Sequence, residues 1–347
     1  MDITQIFKEV IAQGASDLHL SVGLPPIIRI QGKLTRLGED PLTQDAILGA
    51  LKVMFPQQEF SSFSAKDIDL GGEIEGLARF RCHLYNDYNG LCVAFRLIPY
   101  EIKSLQELGL PDVVGKACTL QTGLVMVTGP AGAGKTTTLA ALIDKINATR
   151  SCHIVTLEDP IEFLHHHKQS VVNQMQVGVH TVSFSEGLRN ALREDPDVIL
   201  VGEMRDLETI KLAITAAETG HLVFATLHTR DTAQSVDRIV DVFPSNQQEQ
   251  VRVQLADSLQ MVISQMLIPG VENDKRYVAC EVLVATMAIR RLIREKKGHQ
   301  IKSSLESGGQ LGMQTFESAV KNLAREGKVA HMIAEQYLTG LTDSKKF

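Results

Sequence analysis

The run Leu124-Val125-Met126-Val127-Thr128-Gly129-Pro130-Ala131-Gly132-Ala133-Gly134-Lys135-Thr136 decides how the rest of the chain is read. Its apolar opening predicts a buried strand, and Thr137-Thr138-Leu139-Ala140-Ala141-Leu142-Ile143 behind it predicts a helix. Between them, Gly129 to Thr136 fits G-x-x-x-x-G-K-[ST], a phosphate-binding loop. The glycines let the backbone turn tightly enough for successive N–H groups to converge on an anion. The following helix adds its positive N-terminal end. Gly129, Pro130, Ala131, Gly132, Ala133, Gly134, Lys135, Thr136 and Thr137 are therefore the candidate nucleotide cradle, of the kind found in ATP- and GTP-using proteins. Lys135 is placed to reach the β- and γ-phosphates, and Thr136 to offer a hydroxyl to Mg²⁺.

Working outward, apolar strands alternate with helices at 124–128, 153–157, 198–201 and 222–226, and a further strand falls at 276–284. That rhythm predicts an α/β domain on a largely parallel sheet. A phosphate loop alone binds; hydrolysis also needs an acid on the metal side and a group that orients water. Asp197-Val198-Ile199-Leu200-Val201-Gly202-Glu203 is an apolar strand ending in an acid, and Glu203 is the expected Mg²⁺-side carboxylate. Thr156-Leu157-Glu158-Asp159-Pro160-Ile161-Glu162 crowds three acids at another strand end, where they could hold the metal through water or act as general base. His221 and His228 bracket the fourth strand, either as functional groups or as ordinary partners of buried backbone. His165-His166-His167 cannot all face one ion on regular structure and reads as an exposed turn without assigned function.

Upstream, apolar positions Ile3, Ile6, Phe7, Val10 and Ile11 predict a helix over 2–13. Strands are expected at 16–22, 27–30, 68–74, 77–85 and 91–98, with a helix near 43–54. This makes a small α+β unit. Arg79 and Arg81 share one face of a strand, and Arg96 lies on the next. They form either a solvated strand face or a cationic face directed at a nucleotide held elsewhere, as arginine fingers are. Pro99, Gly109, Pro111 and Gly115 punctuate 99–115, which reads as an interdomain linker.

The 347 residues are 44% hydrophobic and 22% charged, with a formal net charge of −6. That composition is ordinary for a soluble globular protein and disfavours general nucleic-acid binding. Five scattered cysteines suit free thiols in a reducing cytoplasm better than a disulfide framework or zinc site. Neither a signal peptide nor a membrane span is expected.

With these blocks in order, the chain resembles the secretion ATPase superfamily of type II and type IV secretion and type IV pili, and within it the PilT-type retraction ATPases. The likeness rests on Gly14-Ala15-Ser16-Asp17-Leu18-His19-Leu20, Arg79-Phe80-Arg81, the phosphate loop and Glu158-Asp159-Pro160-Ile161-Glu162. It continues through Leu192-Arg193-Glu194-Asp195-Pro196-Asp197, Val201-Gly202-Glu203-Met204-Arg205-Asp206 and Gly220 to Thr229. The resemblance implies a PAS-like N-terminal domain (1–98), the linker (99–115) and a RecA-like ATPase domain (116–347) with C-terminal helices over about 286–341. It implies Glu162 as general base and Glu203 as the acid beside Mg²⁺. His221 and His228 would contact the nucleotide region, and Arg81 and Arg96 the phosphates, while Glu158 is a further metal candidate through water.

The implied assembly is a cytoplasmic homohexamer docked at the inner membrane through a platform protein of a type IV pilus machine, with a second retraction ATPase as a further partner. No nucleic acid is implied. Assembly ATPases of this superfamily carry a tetracysteine module after the acid; here Cys280 is the single cysteine beyond Glu203. Ala288-Ile289-Arg290-Arg291-Leu292-Ile293-Arg294-Glu295 resembles the retraction segment AIRNLIRE, with Arg290, Arg291 and Arg294 expected to project outward. Ala131 and Ala133 replace the usual Thr and Ser, Arg291 the usual Asn, and Asn89 an Arg. Pilus retraction is the implied function; an accessory PilU-like ATPase and a secretion or assembly ATPase stay open as alternatives.

Overall fold

The computed structural model describes residues 2–30, 32–56, 60, 67–74, 76–98, 100–272 and 275–343. The chain forms two compact units, Met1–Glu101 with Pro160–Leu164, and Ile102–Asp159 with His165–Phe347.

In the first unit the elements are α1 (Ile3–Ala12), β1 (Asp17–Ser21), β2 (Ile27–Ile30), β3 (Lys33–Arg36), α2 (Gln44–Met54), β4 (Ile68–Ile74), β5 (Ala78–Asp87) and β6 (Gly90–Ile98). The strands make one antiparallel sheet in the order β3-β2-β1-β6-β5-β4. Alternation along β5 sets its faces: Ala78, Phe80, Cys82 and Leu84 are buried, while Arg79, Arg81, His83 and Tyr85 take the opposite side. Phe80 meets Phe7 of α1 and Phe95 of β6 at ring-centroid distances of 5.0 and 5.3 Å, the centre of this core. Asp2 caps α1 and Thr43 caps α2 through their side-chain oxygens. Short β3 lacks any apolar alternation strong enough to have been expected.

The second unit holds α3 (Asp112–Gly115), β7 (Gly123–Thr128), α4 (Lys135–Thr149), β8 (His153–Glu158), β9 (Val171–Gln176), α5 (Phe184–Ala191), β10 (Val198–Val201), α6 (Leu207–Glu218) and β11 (Leu222–Leu227). It continues with α7 (Thr232–Asp241), α8 (Ser245–Ser258), β12 (Leu259–Pro269), β13 (Arg276–Val284), α9 (Met287–Arg294), α10 (Ile301–Ser307), α11 (Phe316–Arg325) and α12 (His331–Asp343). Its seven strands run in the order β13-β12-β7-β11-β10-β8-β9, all parallel except the β13 edge. Helices cover both faces, which is why β7, β10 and β11 are apolar at nearly every position. Leu124 and Met126 of β7 join the core built with α6, α7 and α8, whereas Val125 and Val127 join the core under α4. Helices α11 and α12 pack on the far end of β12 and β13 around Ile268, Ala279, Phe316 and Val320.

Three expectations change. Residues 102–115, expected within the interdomain linker, fall in the second unit: Leu105, Leu110, Val113 and Val114 are buried in the core beneath α4. Burying four apolar side chains makes that stretch part of the second unit, and Pro99 lies outside the described residues. His166 and His167 are exposed, but His165 is buried, and burial pulls its imidazole down to about 4. Arg290 does not project outward. Its guanidinium donates to the carbonyls of Ala256 and Asp257, both at 2.5 Å, at the C-terminal end of α8. Those carbonyls have no intrahelical donor, so the arginine completes the helix end.

Candidate functional site

Because β7, β8, β10 and β11 are parallel, their carboxyl ends open on one edge of the sheet, the edge where ligands bind in open α/β folds. The loop after β7 brings Gly129–Gly134 there, and α4 starts at Lys135. Gly129 has φ +142°, and a Cβ on it would stand 2.3 Å from the carbonyl oxygen of Gln265 on β12, so only glycine fits. Gly134 is left-handed at φ +85° and precedes α4 with no side-chain cap, leaving the helix N-terminal amides to an outside acceptor. Thr136 and Thr137 are half-buried in the first turn.

Lys135 folds across this loop. Its Nζ donates to the carbonyls of Gly129 at 2.8 Å and Pro130 at 3.1 Å, and lies 3.4 Å from Nδ1 of His228. The other ring nitrogen of His228 is 3.2 Å from Glu203 Oε1, while Arg205 holds Glu203 Oε2 at 2.7 Å. Lys135, His228, Glu203 and Arg205 thus form one continuous chain of polar contacts along the sheet edge. Burial pulls the Lys135 ammonium below its ordinary range, against the upward pull of Glu203. Burial pushes the Glu203 carboxyl up, but its bonds to Arg205 and His228 prevail and hold it below the usual carboxylate range. The group is a carboxylate at neutral pH.

Glu158 ends β8 beside that site and is buried, accepting from Thr156 Oγ1 at 2.7 Å and Gln174 Nε2 at 3.0 Å. Among the described residues no three His, Cys, Asp or Glu side chains form a ready metal cage. Thr136 and Glu203 carry hard oxygen atoms, a donor type that would suit Mg²⁺ completed by waters and substrate phosphates.

The structure separates His221 from His228. His221 precedes β11 at the opposite sheet edge, its Nδ1 3.0 Å from the Ala216 carbonyl at the end of α6. A six-residue strand stands between the two histidines, about 20 Å at 3.3 Å per residue. Glu162, Arg81 and Arg96 belong to the first unit. There the Glu162 carbonyl accepts from Arg79 Nη1 at 2.7 Å. Arg81 and Arg96 are cross-strand partners on β5 and β6, paired with Asp69 at 3.4 Å and Asp17 at 3.2 Å.

Sequence reasoning missed Gln265 and Arg205. Gln265 is 1% exposed, and its side chain bonds Ala133 and Thr138 on either side of the loop's end. The available signal was Ser264-Gln265, two polar residues inside an otherwise apolar run, since a buried polar side chain needs a built partner.

A family model described as type II/IV secretion system protein matches residues 1–337. The type IV pilus retraction ATPase PilT of Pseudomonas aeruginosa is 48% identical over 337 residues, 97% of this chain and 98% of that protein. The type IV pilus ATPase PilU of the same organism is 34% identical, over 95% of this chain and 87% of that protein. Among solved structures, a pilus retraction motor PilT with bound ADP superposes with a TM-score of 0.89 at 44% identity, over 97% of this chain and 96% of that one.

Proposed function

Since the chain belongs to the type II/IV secretion system protein family, we propose that it is an ATP-hydrolysing motor that powers type IV pilus retraction. The observation that carries this reading is the Lys135–His228–Glu203 chain laid against an N–H-rich phosphate loop. The likeness to PilT exceeds that to PilU, 48% against 34% identity, which favours a main over an accessory motor.

In this reading the first unit is PAS-like and the second RecA-like, and six copies form a ring. Loop amides and the α4 N-terminus take the phosphates, and Lys135 leaves the carbonyls of Gly129 and Pro130 to neutralise the γ-phosphate. Thr136 and Glu203 would hold Mg²⁺, with Glu158 reaching it through water; when bound, such an ion supplies Lewis-acid charge stabilisation. Glu162 polarises the attacking water, and Arg81 and Arg96 supply positive charge as it develops on the transferred group. His228 links the lysine to the acid and reports on the γ-phosphate position. His221, at the opposite edge, takes no part in its own chain's cluster. Nucleotide-driven hinge motion between units would supply the stroke. The ring would work in the cytoplasm at the inner-membrane platform of the pilus machine, beside a second retraction ATPase and without nucleic acid. Among the described residues no helix is long and apolar enough to cross a membrane.

The test is deletion of the gene in its host, with surface pili counted and twitching measured. Abundant pili with lost motility is the expected result, restored by the wild-type gene. Few or no pili would overturn retraction in favour of assembly.

A further inference from the structure

We infer that Gln265 is a positioning residue that keeps the phosphate loop open to an anion by fixing the peptide between Ala133 and Gly134. The inference rests on the nucleotide reading above.

Gln265 lies mid-strand on β12, fully buried, with Ile263 and Ile268 nearby in the same strand. A primary amide there is costly unless both ends are bonded. Both are: Oε1 accepts from Thr138 Oγ1 at 3.0 Å, and Nε2 donates to the Ala133 carbonyl at 2.7 Å. The second bond is the informative one. A peptide is planar and trans, so its C=O and N–H point to opposite sides. Holding the Ala133 carbonyl against β12 turns the Gly134 N–H the other way, away from the sheet strand and into the loop. An anion cradle needs N–H groups there, and a carbonyl in that place would repel phosphate.

The local backbone bonds, Ala133 N to the Pro130 carbonyl and Thr138 N to the Gly134 carbonyl, fix the peptides on either side and not this one. Gly134 sits at φ +85°, where glycine accepts several conformations. Lys135 already draws the carbonyls of Gly129 and Pro130. Freed from Gln265, the Ala133 carbonyl becomes a third oxygen able to turn toward that ammonium and close the cradle. The Gln265 backbone meets the other end of the loop, since its carbonyl is what excludes a side chain at Gly129. Neighbours on the same hairpin hold the next loop: Ser264 Oγ donates to the Arg230 carbonyl at 3.0 Å. Glu281, paired with Ser264 across the strands, accepts from Thr232 N at 3.0 Å and Oγ1 at 2.7 Å. β12 and β13 thereby set the phosphate loop and the His228 loop in one frame.

The experiment compares full-length wild type, Gln265→Glu and Gln265→Met by binding of a fluorescent ADP and by steady-state ATP hydrolysis. Gln265→Glu keeps size and the acceptor for Thr138; buried without a counter-charge, its carboxyl takes a proton and can donate to the Ala133 carbonyl in place of the amide, which makes it the rescue control. Gln265→Met keeps the volume and removes the donor without repulsion. Expected for Gln265→Met is ADP binding weakened about tenfold, with KM for ATP raised by more than kcat falls, in protein that still melts cooperatively, while Gln265→Glu, which can still donate when protonated, stays closer to wild type. If Gln265→Glu does not fold, Gln265→Met decides. A folded Gln265→Met with Kd and KM within twofold of wild type overturns this inference alone. Wild type that binds no nucleotide overturns the motor reading with it.

Discussion

Two clusters of charge in this molecule are built differently. On the first unit, Arg81 lies opposite Arg96 across β5 and β6 and pairs with Asp69, the two side chains 39% and 49% exposed. On the second, Glu203 is 19% exposed and gripped from both oxygens, by Arg205 and by a histidine that also touches Lys135. Exposed pairs of the first kind contribute about 0–1 kcal/mol and exchange partners at little cost. The second kind is set before any ligand arrives, and preorganised charge is what stabilises a transition state without reorganisation. In the proposed motor, the first would be a group that arrives during turnover and the second a group already in place.

The largest effect should come from the waiting cluster. Lys135→Ala removes the one ammonium that spans loop and histidine, and kcat/KM for ATP should fall about 10³-fold or more. Steady-state phosphate release measures it. A variant retaining a tenth of the wild-type rate would mean the cluster is a structural tie. Next comes the arriving group. Arg81→Ala should lower kcat about 10²-fold and leave ADP affinity within about twofold, because Arg81 is expected to act in turnover and not in binding. Equal loss in both would erase the distinction between the clusters.

Much of the second cluster was legible because β7, its loop and α4 each speak plainly: a continuous apolar strand, a glycine-spaced turn and a helix in direct succession. β12 was not. Helix α8 passes into it at Ser258–Leu259 with no glycine or proline between, and Ser264-Gln265 breaks its apolar run. β9 was missed for a related reason, as an edge strand with exposed Val171 beside polar Asn173, Gln174 and Gln176. His221 and His228 look equivalent in one dimension; strand length puts them at opposite edges. The prolines and glycines of 99–115 signal turns, and turns do not say whether the leucines and valines between them are buried. Arg290 looked like a surface charge because sequence gives no hint that the end of α8 lies within reach of its side chain.

The smallest effect sharpens the comparison from the other side. Asp69 holds Arg81 at 3.4 Å and His83 at 3.1 Å, and the aspartate is 49% exposed. Water and salt screen both contacts, so Asp69→Asn should change unfolding free energy by no more than about 0.5 kcal/mol, read from denaturant midpoints at constant slope. Its effect on turnover separates two roles for the pair. If Asp69 merely occupies Arg81 between encounters, the neutral amide frees the guanidinium, and kcat should stay level or rise up to about twofold. If Asp69 instead aims the guanidinium, Asp69→Asn should lower kcat toward the Arg81→Ala value while stability barely moves. The second outcome would make the arginine face as preorganised as the Glu203 cluster, and the contrast between the two regions would then lie only in their exposure.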